Sequence, residues 1–190
     1  MRVIAGDFRS RPLRAPAGDA TRPTSDRLRE TLFNILGPEV RGRSFLDGYA
    51  GSGAVGIEAW SRGARPVVWI ESAPAALRAL TANLASLGVP ATGVVRAGFQ
   101  RGLARLEHLP GEGAGGFDYI YLDPPYAAEA ELLLALAALD RAAGVAPDGA
   151  RIIAETRRGA VLPEAVGRLR RERVHAQGDS QLTFFRAAST

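Results

Sequence analysis

The residues that could do chemistry fall in two short stretches, Asp47-Gly-Tyr-Ala-Gly-Ser-Gly-Ala-Val-Gly56 and Asp123-Pro-Pro-Tyr126. In the first, Phe45 and Leu46 read as the end of a buried strand, and Gly48, Gly51, Gly53 and Gly56 punctuate a tight turn. Ile57 to Arg62 reads as a helix stopping at Gly63. A strand, a glycine turn and a helix cradle a polar small molecule: glycine lets backbone approach the ligand, and a helix start offers spare N–H groups. Gly51-x-Gly53-x-x-Gly56 also fits a dinucleotide fingerprint, with Glu71 about 20 residues on to hold ribose hydroxyls. Asp47 separates the two cofactor classes. At the strand tip a carboxylate would repel a pyrophosphate but suit the cationic methionine end of S-adenosylmethionine, which is the expected cofactor. The plainer role for Asp47 is to satisfy amides of the turn.

The second stretch ends a strand with two prolines, which donate no N–H and so present carbonyl acceptors. Asp123 adds a carboxylate acceptor, and Tyr126 a flat face on which a base can stack. Acceptors without a donor suit an amino group. An exocyclic base amine is a poor nucleophile because its lone pair is delocalised into the ring. Held by Asp123 and the Pro124 carbonyl, that nitrogen could turn its lone pair toward an activated methyl. Pro125 is the second of the two residues without a donor. Positioning of this kind can supply on the order of 7 kcal/mol or more. A paired base cannot reach such a pocket, so the target is expected to be unpaired or flipped out.

The rest of the chain must place these stretches. Its 190 residues suit one domain with a sizeable core. There are no cysteines, which excludes disulfides and thiolate chemistry, and His108 and His175 are too isolated for a metal site. No apolar run is long enough to span a membrane, and the first residues lack a signal-peptide core; a cytoplasmic location is expected. All 24 basic residues are arginine, which rules out a lysine base or Schiff base. Residues 1–30 hold seven Arg and four acids, +3, and residues 151–190 eight Arg and four acids, +4. The total of +4 leaves −3 for the middle, so basic ends flank an acidic centre. Arg9, Arg11, Arg14 and Arg22, in a segment broken by Gly6, Pro12, Pro16 and Gly18, read as a hairpin or arm that tracks a phosphate backbone rather than as a core element.

Hydrophobic spacing predicts a helix from Thr24 or Ser25 to Leu36, helices at 73–87, 100–109 and 129–143, buried strands at 66–71 and 117–123, and further strands at 93–96 and 150–155. Residues 168–175 and 181–187 read as an antiparallel pair turning at Gly178-Asp179. Alternating strands and helices finished by a hairpin describe an open, three-layer α/β sheet. Parallel βαβ connection puts Asp47 and Glu71 at one carboxyl edge, where ligands bind.

At this point the chain resembles the class I methyltransferases, and more closely the RsmD family of 16S ribosomal RNA guanine-N2 methyltransferases. The resemblance runs through Arg2-Val-Ile-Ala-Gly6, Arg22-Pro-Thr-Ser-Asp-Arg-Leu-Arg-Glu-Thr-Leu-Phe-Asn34, Ala50-Gly-Ser-Gly53, Gly56-Ile-Glu-Ala59, Ser61-Arg-Gly-Ala64, Leu122-Asp-Pro-Pro-Tyr126, Gly178-Asp-Ser180 and Phe184-Phe-Arg186. It implies a Rossmann-like, mostly parallel seven-stranded sheet with a C-terminal antiparallel hairpin over residues 24–190, and an RNA-contacting arm over residues 1–23. It further implies S-adenosylmethionine held by Asp47, Ala50, Gly51, Gly53, Glu71, Ser72, Gly98, Phe99 and Thr24, with no metal. The expected target is one guanine of 16S rRNA in a small ribosomal subunit or its assembly intermediate, acted on by a monomer. Where the family usually has Gly-Asp after the third strand, this chain has Ala97-Gly98-Phe99, so Phe99 is expected to pack on the adenine and backbone groups to read its edge. An adenine-N6 enzyme of RNA or DNA, or a catalytically weak RNA-binding relative, remains open as an alternative, since Asp-Pro-Pro-Tyr is shared with adenine-N6 enzymes. A nucleotide-dependent oxidoreductase is a more distant one.

Overall fold

The computed structural model describes residues 1–16, 25–107, 116–124 and 129–189. Arg22, Thr24, Pro125, Tyr126 and His108 lie outside the described residues. The chain forms two compact units, Met1–Gly98 and Phe99–Thr190.

In the first unit, strands β1 (Phe45–Asp47), β2 (Val67–Glu71) and β3 (Val94–Arg96) pair in parallel in the order β3-β2-β1. β1 is buried throughout and β2 along its first four residues, as continuous apolar strands of parallel sheets are. Helix α1 (Asp26–Leu36) starts where the Ser25 hydroxyl accepts the Leu28 N–H at 3.1 Å, so Ser25 is the cap. Leu28, Leu32, Phe33 and Leu36 form its buried stripe. Helix α2 (Ala54–Ser61) begins three residues before the expected Ile57. Gly53 precedes it in the left-handed region (φ 80°), and seven of its eight residues are buried. Helix α3 (Pro74–Leu87) opens on a proline, whose missing N–H costs nothing there, and ends at left-handed Gly88. Trp60 on α2 and Trp69 on β2 lie with ring centroids 6.2 Å apart, and Trp69 is fully buried.

Residues 1–16 double back as a small hairpin, with Arg2 bridged antiparallel to Pro12 and the Val3 N–H donating to the Arg11 carbonyl at 3.0 Å. They are also part of the core, which corrects the reading of a peripheral arm: Val3 is 1% exposed and Leu13 7%. The reason is polar as well as apolar. Buried Glu58 accepts the N–H groups of Ile4 and Ala5 at 2.8 and 3.0 Å, and Ser61 Oγ accepts that of Phe8 at 2.9 Å. The hairpin is thereby stitched onto α2.

The second unit contains helices α4 (Phe99–Leu106) and α5 (Glu129–Arg141) and strands β4 (Tyr119–Leu122), β5 (Arg151–Arg157), β6 (Ala165–Val166), β7 (Leu169–Gln177) and β8 (Ser180–Ala187). β4 and β5 are parallel, β8 runs antiparallel to β5, and β7 and β6 extend the order β4-β5-β8-β7-β6. The two-residue connection Gly178-Asp179 joins β7 to β8, with Gly178 at φ 58°. The described strands number eight where seven were expected. The additional one, β6, is two residues long and offers too short a run for a periodic signal. Among the described residues no helix is long and apolar enough to cross a membrane, and no cluster of potential ligands could hold a metal.

Candidate cofactor cradle and base-binding turn

The glycine turn is a hydrogen-bonded knot at the carboxyl ends of β1 and β2. The Ala50 N–H donates to the Ile70 carbonyl at 3.0 Å, and the Gly53 N–H returns to the Ala50 carbonyl at 2.7 Å. Glu71 Oε2 accepts the Gly51 N–H at 2.7 Å, while Oε1 accepts those of Ser72 and Ala73 at 2.6 and 2.7 Å. One half-buried carboxylate therefore sets the spacing between the turn and the exit from β2. Its main-chain carbonyl also accepts the Ala97 N–H at 3.0 Å, which brings exposed Gly98 to the same rim. Asp47, Ala50, Gly51, Gly53, Glu71, Ser72 and Gly98 thus gather around one turn.

Two glycines of this turn do different work. A Cβ at Gly51 would meet nothing within 4 Å, so the backbone there lies open to a ligand. A Cβ at Gly53 would sit 2.3 Å from Leu80 Cδ1, so that glycine serves packing. Open backbone at Gly51 with an acid beside it is a fit for a ribose-bearing cofactor.

Asp47 takes the plainer of its two roles. It is 1% exposed, and its Oδ2 accepts the Gly56 N–H at 2.9 Å. That N–H is one of the unpaired donors of the first turn of α2, whose cap residue Gly53 has no side chain to offer, so Asp47 acts as a cap from the neighbouring strand. Burial pushes its carboxyl from 3.8 up to about 7; the Gly56 N–H works against that rise and the charge of Glu71 adds to it. Phe99 also departs from expectation. It is 1% exposed, in the buried stripe of α4 with Leu103 and Leu106, and offers no face to an adenine.

In the second unit, fully buried β4 delivers half-buried Asp123 and then buried Pro124. Leu122 pairs in register with Ala154, so Asp123 leaves the sheet one residue beyond the last rung of the ladder. Arg9, Arg11 and Arg14 are exposed on the N-terminal segment, and Arg11 Nη2 donates to the Ser86 carbonyl at 2.8 Å.

Three polar residues escaped the sequence reading. Glu58 holds the hairpin, as described. Buried Asn83 on α3 accepts the Arg14 N–H at 2.8 Å and donates to the carbonyls of Arg14 and Ser52 at 3.0 and 2.9 Å. Glu155 on β5, 3% exposed, receives the Tyr121 hydroxyl. A signal existed for Asn83, which sits within the apolar stripe Leu80, Leu84, Leu87 at helical spacing.

Solved chains of known fold match this arrangement along its whole length. The "Putative methyltransferase yhhF" of Escherichia coli superposes with a TM-score of 0.80 at 31% identity, covering 100% of this chain and 99% of its own. The hypothetical protein TTHA0928 of a Thermus species gives 0.78 at 30% identity, covering 97% and 98%. The fold is that of the Rossmann-like methyltransferases. Residues 1–186 match the family described as Conserved hypothetical protein 95, and the chain belongs to that family, the RsmD family of its sequence resemblance. Its curated relatives include the "Putative rRNA methyltransferase YlbH" of Bacillus subtilis, 38% identical over 89% of this chain and 89% of the relative. The "Ribosomal RNA small subunit methyltransferase D" of Escherichia coli is 39% identical over 66% of this chain, and the match spans 60% of that relative's length.

Proposed function

We propose that the chain methylates the exocyclic N2 amine of a guanine in 16S ribosomal RNA, using S-adenosylmethionine, on a small ribosomal subunit or its assembly intermediate. The observation that carries the reading is the end of β4, where a half-buried carboxylate, Asp123, is followed by a buried proline without an N–H. The family and its rRNA-methylating namesakes supply the substrate class.

The open backbone at Gly51, with Glu71 beside it, suits the cofactor. Gly51, Glu71, Ser72 and Gly98 would hold it, with Gly53 packing the turn and Asp47 fixing the helix start behind them. Bound there, S-adenosylmethionine supplies a methyl group on a positively charged sulfur. Asp123 and the Pro124 carbonyl accept the two N–H bonds of the base amine and turn its lone pair out of conjugation. Asp123 or water takes the proton released. By the family resemblance, Pro125 and Tyr126 belong with the target base, Tyr126 as a stacking face, and Thr24 with the cofactor. Arg9, Arg11, Arg14 and Arg22 meet RNA phosphates, and the protein works as a monomer in the cytoplasm.

The test is transfer of labelled methyl to small subunits that lack the modification, followed by digestion to nucleosides. Label in N2-methylguanosine is the expected result. Label in N6-methyladenosine would replace the target base, and no label in RNA would leave a binding protein instead of an enzyme.

A further inference from the structure

We propose that Glu155 is a positioning residue for the transfer reaction, acting with Tyr121 and Ser180 to fix the end of β4, from which the chain runs into Asp123. The inference rests on the methyl-transfer reading above and adds to it a set of residues behind the reacting groups.

β4 and β5 run parallel with Tyr121 beside Ile153 and Leu122 beside Ala154. Asp123 follows Leu122 directly, one residue past that last rung. Tyr121, two residues before Asp123, reaches β5 through its side chain. The Tyr121 hydroxyl donates to Glu155 Oε2, and Ser180 Oγ donates to Oε1 at 3.1 Å. Tyr121 is 1% exposed and Glu155 3%. A single carboxylate thereby ties the ends of β4 and β5 to the first residue of β8, just short of the double proline.

A buried carboxylate is a costly way to hold strands together, since unmet desolvation of such a group amounts to several kcal/mol. Apolar residues would pack the same space at less cost. What the carboxylate adds is direction: its two oxygens accept hydroxyls arriving from two strands, so the end of β4 cannot twist or slide against β5. Asp123 and the Pro124 carbonyl must grip both hydrogens of one amine, and a misplacement of about 1 Å at a reacting centre can cost about a hundredfold in rate. The Tyr121–Glu155–Ser180 set holds that spacing.

The experiment compares Tyr121→Phe, Glu155→Ala and Glu155→Gln with the wild type in single-turnover transfer to unmodified small subunits. Cofactor affinity is measured in parallel by calorimetry. Tyr121→Phe and Glu155→Ala are expected to lower the transfer rate at saturating substrate by about tenfold or more, with cofactor Kd changed by less than about twofold. Glu155→Gln is expected to recover to within about threefold, because its amide oxygen still accepts from Tyr121 and its amino group can donate to Ser180. A glutamine variant as slow as the alanine variant would show that the charge is needed, not the hydrogen-bond geometry, and would overturn the positioning role. So would Tyr121→Phe, the mildest change, at the wild-type rate. A wild type inactive on every subunit preparation would instead sink the methyl-transfer reading, and this role with it.

Discussion

Asn83 and Arg14 are joined twice, side-chain oxygen to main-chain N–H and side-chain nitrogen to main-chain carbonyl, and the same Asn83 nitrogen also holds the Ser52 carbonyl. One buried amide therefore links the N-terminal hairpin to the glycine turn. Asn83→Ala leaves these main-chain groups without that partner, at about 1–3 kcal/mol for a buried group left unsatisfied. The expected result is a lower urea midpoint at unchanged slope, with weaker cofactor binding because the turn is less fixed. Asn83→Asp should be worse, since a carboxylate would face two carbonyls. An alanine variant as stable as the wild type would show that Asn83 is not a clamp.

The carboxyl of Asp47 should make stability depend on pH. Its folded value, about 7, lies above the ordinary 3.8, so between those values the folded chain holds a proton that the unfolded chain has released. Stability from this group is complete below about pH 4, falls as pH rises, and is lost above about pH 7, a swing on the order of 4 kcal/mol. Asp47→Asn keeps an acceptor for the Gly56 N–H but does not titrate. The urea midpoint of the wild type should therefore fall relative to that of the variant between about pH 4 and about pH 7. Parallel curves would show that Asp47 stays charged.

Gly56 and Gly51 should fail differently when changed to alanine. A Cβ at Gly56 would lie 2.2 Å from Trp69 Nε1 and 2.8 Å from its Cδ1, against a rigid buried ring. Gly56→Ala should cost stability, about 1–3 kcal/mol or more as overpacking does. At Gly51 space is open and only the positive φ of 55° is strained. Gly51→Ala should lose less stability than Gly56→Ala but more cofactor affinity, which paired melts and calorimetry would separate.

Asp123→Ala should abolish methyl transfer and leave cofactor binding almost unchanged. Glu71→Ala should do the reverse, weakening the cofactor first. Activity of the Asp123 variant within about tenfold of wild type, roughly 1.4 kcal/mol in the barrier, would remove Asp123 from the reacting centre.

Arg9→Ala combined with Arg11→Ala should weaken RNA binding and flatten its dependence on salt, the slope falling by about 1 for each phosphate the protein no longer neutralises. Arg11 also donates to the Ser86 carbonyl, so the single Arg9 variant isolates the RNA effect from any loosening of the hairpin. An unchanged slope would take the hairpin out of the RNA interface.

The sequence was most legible where chemistry and backbone agree. The glycine turn, Glu71 and the strand ending in Asp123 stood out because few other residue types satisfy those positions. Helix ends were placed to within three residues, and the start of α2 shows why they were not closer. Its start is set by Gly53 in the left-handed region and by Asp47, nine residues away from the Gly56 N–H in the chain, and neither is a local capping signal. Glu58 and Glu155 passed as ordinary charged residues, since only tertiary structure shows that main-chain amides or hydroxyls converge on them. The hairpin was read as peripheral for the same reason: its arginines are exposed, and the buried acid that holds it lies on another element.

Both tryptophans, Trp60 and Trp69, belong to the unit that carries the glycine turn, and the unit from Phe99 onward has none. Indole emission is thus an intrinsic optical probe of one half of the molecule. A melt followed by fluorescence and again by far-ultraviolet circular dichroism would show directly whether the halves unfold together. With ligand added, a shift in emission would report on the cofactor's own unit without any label.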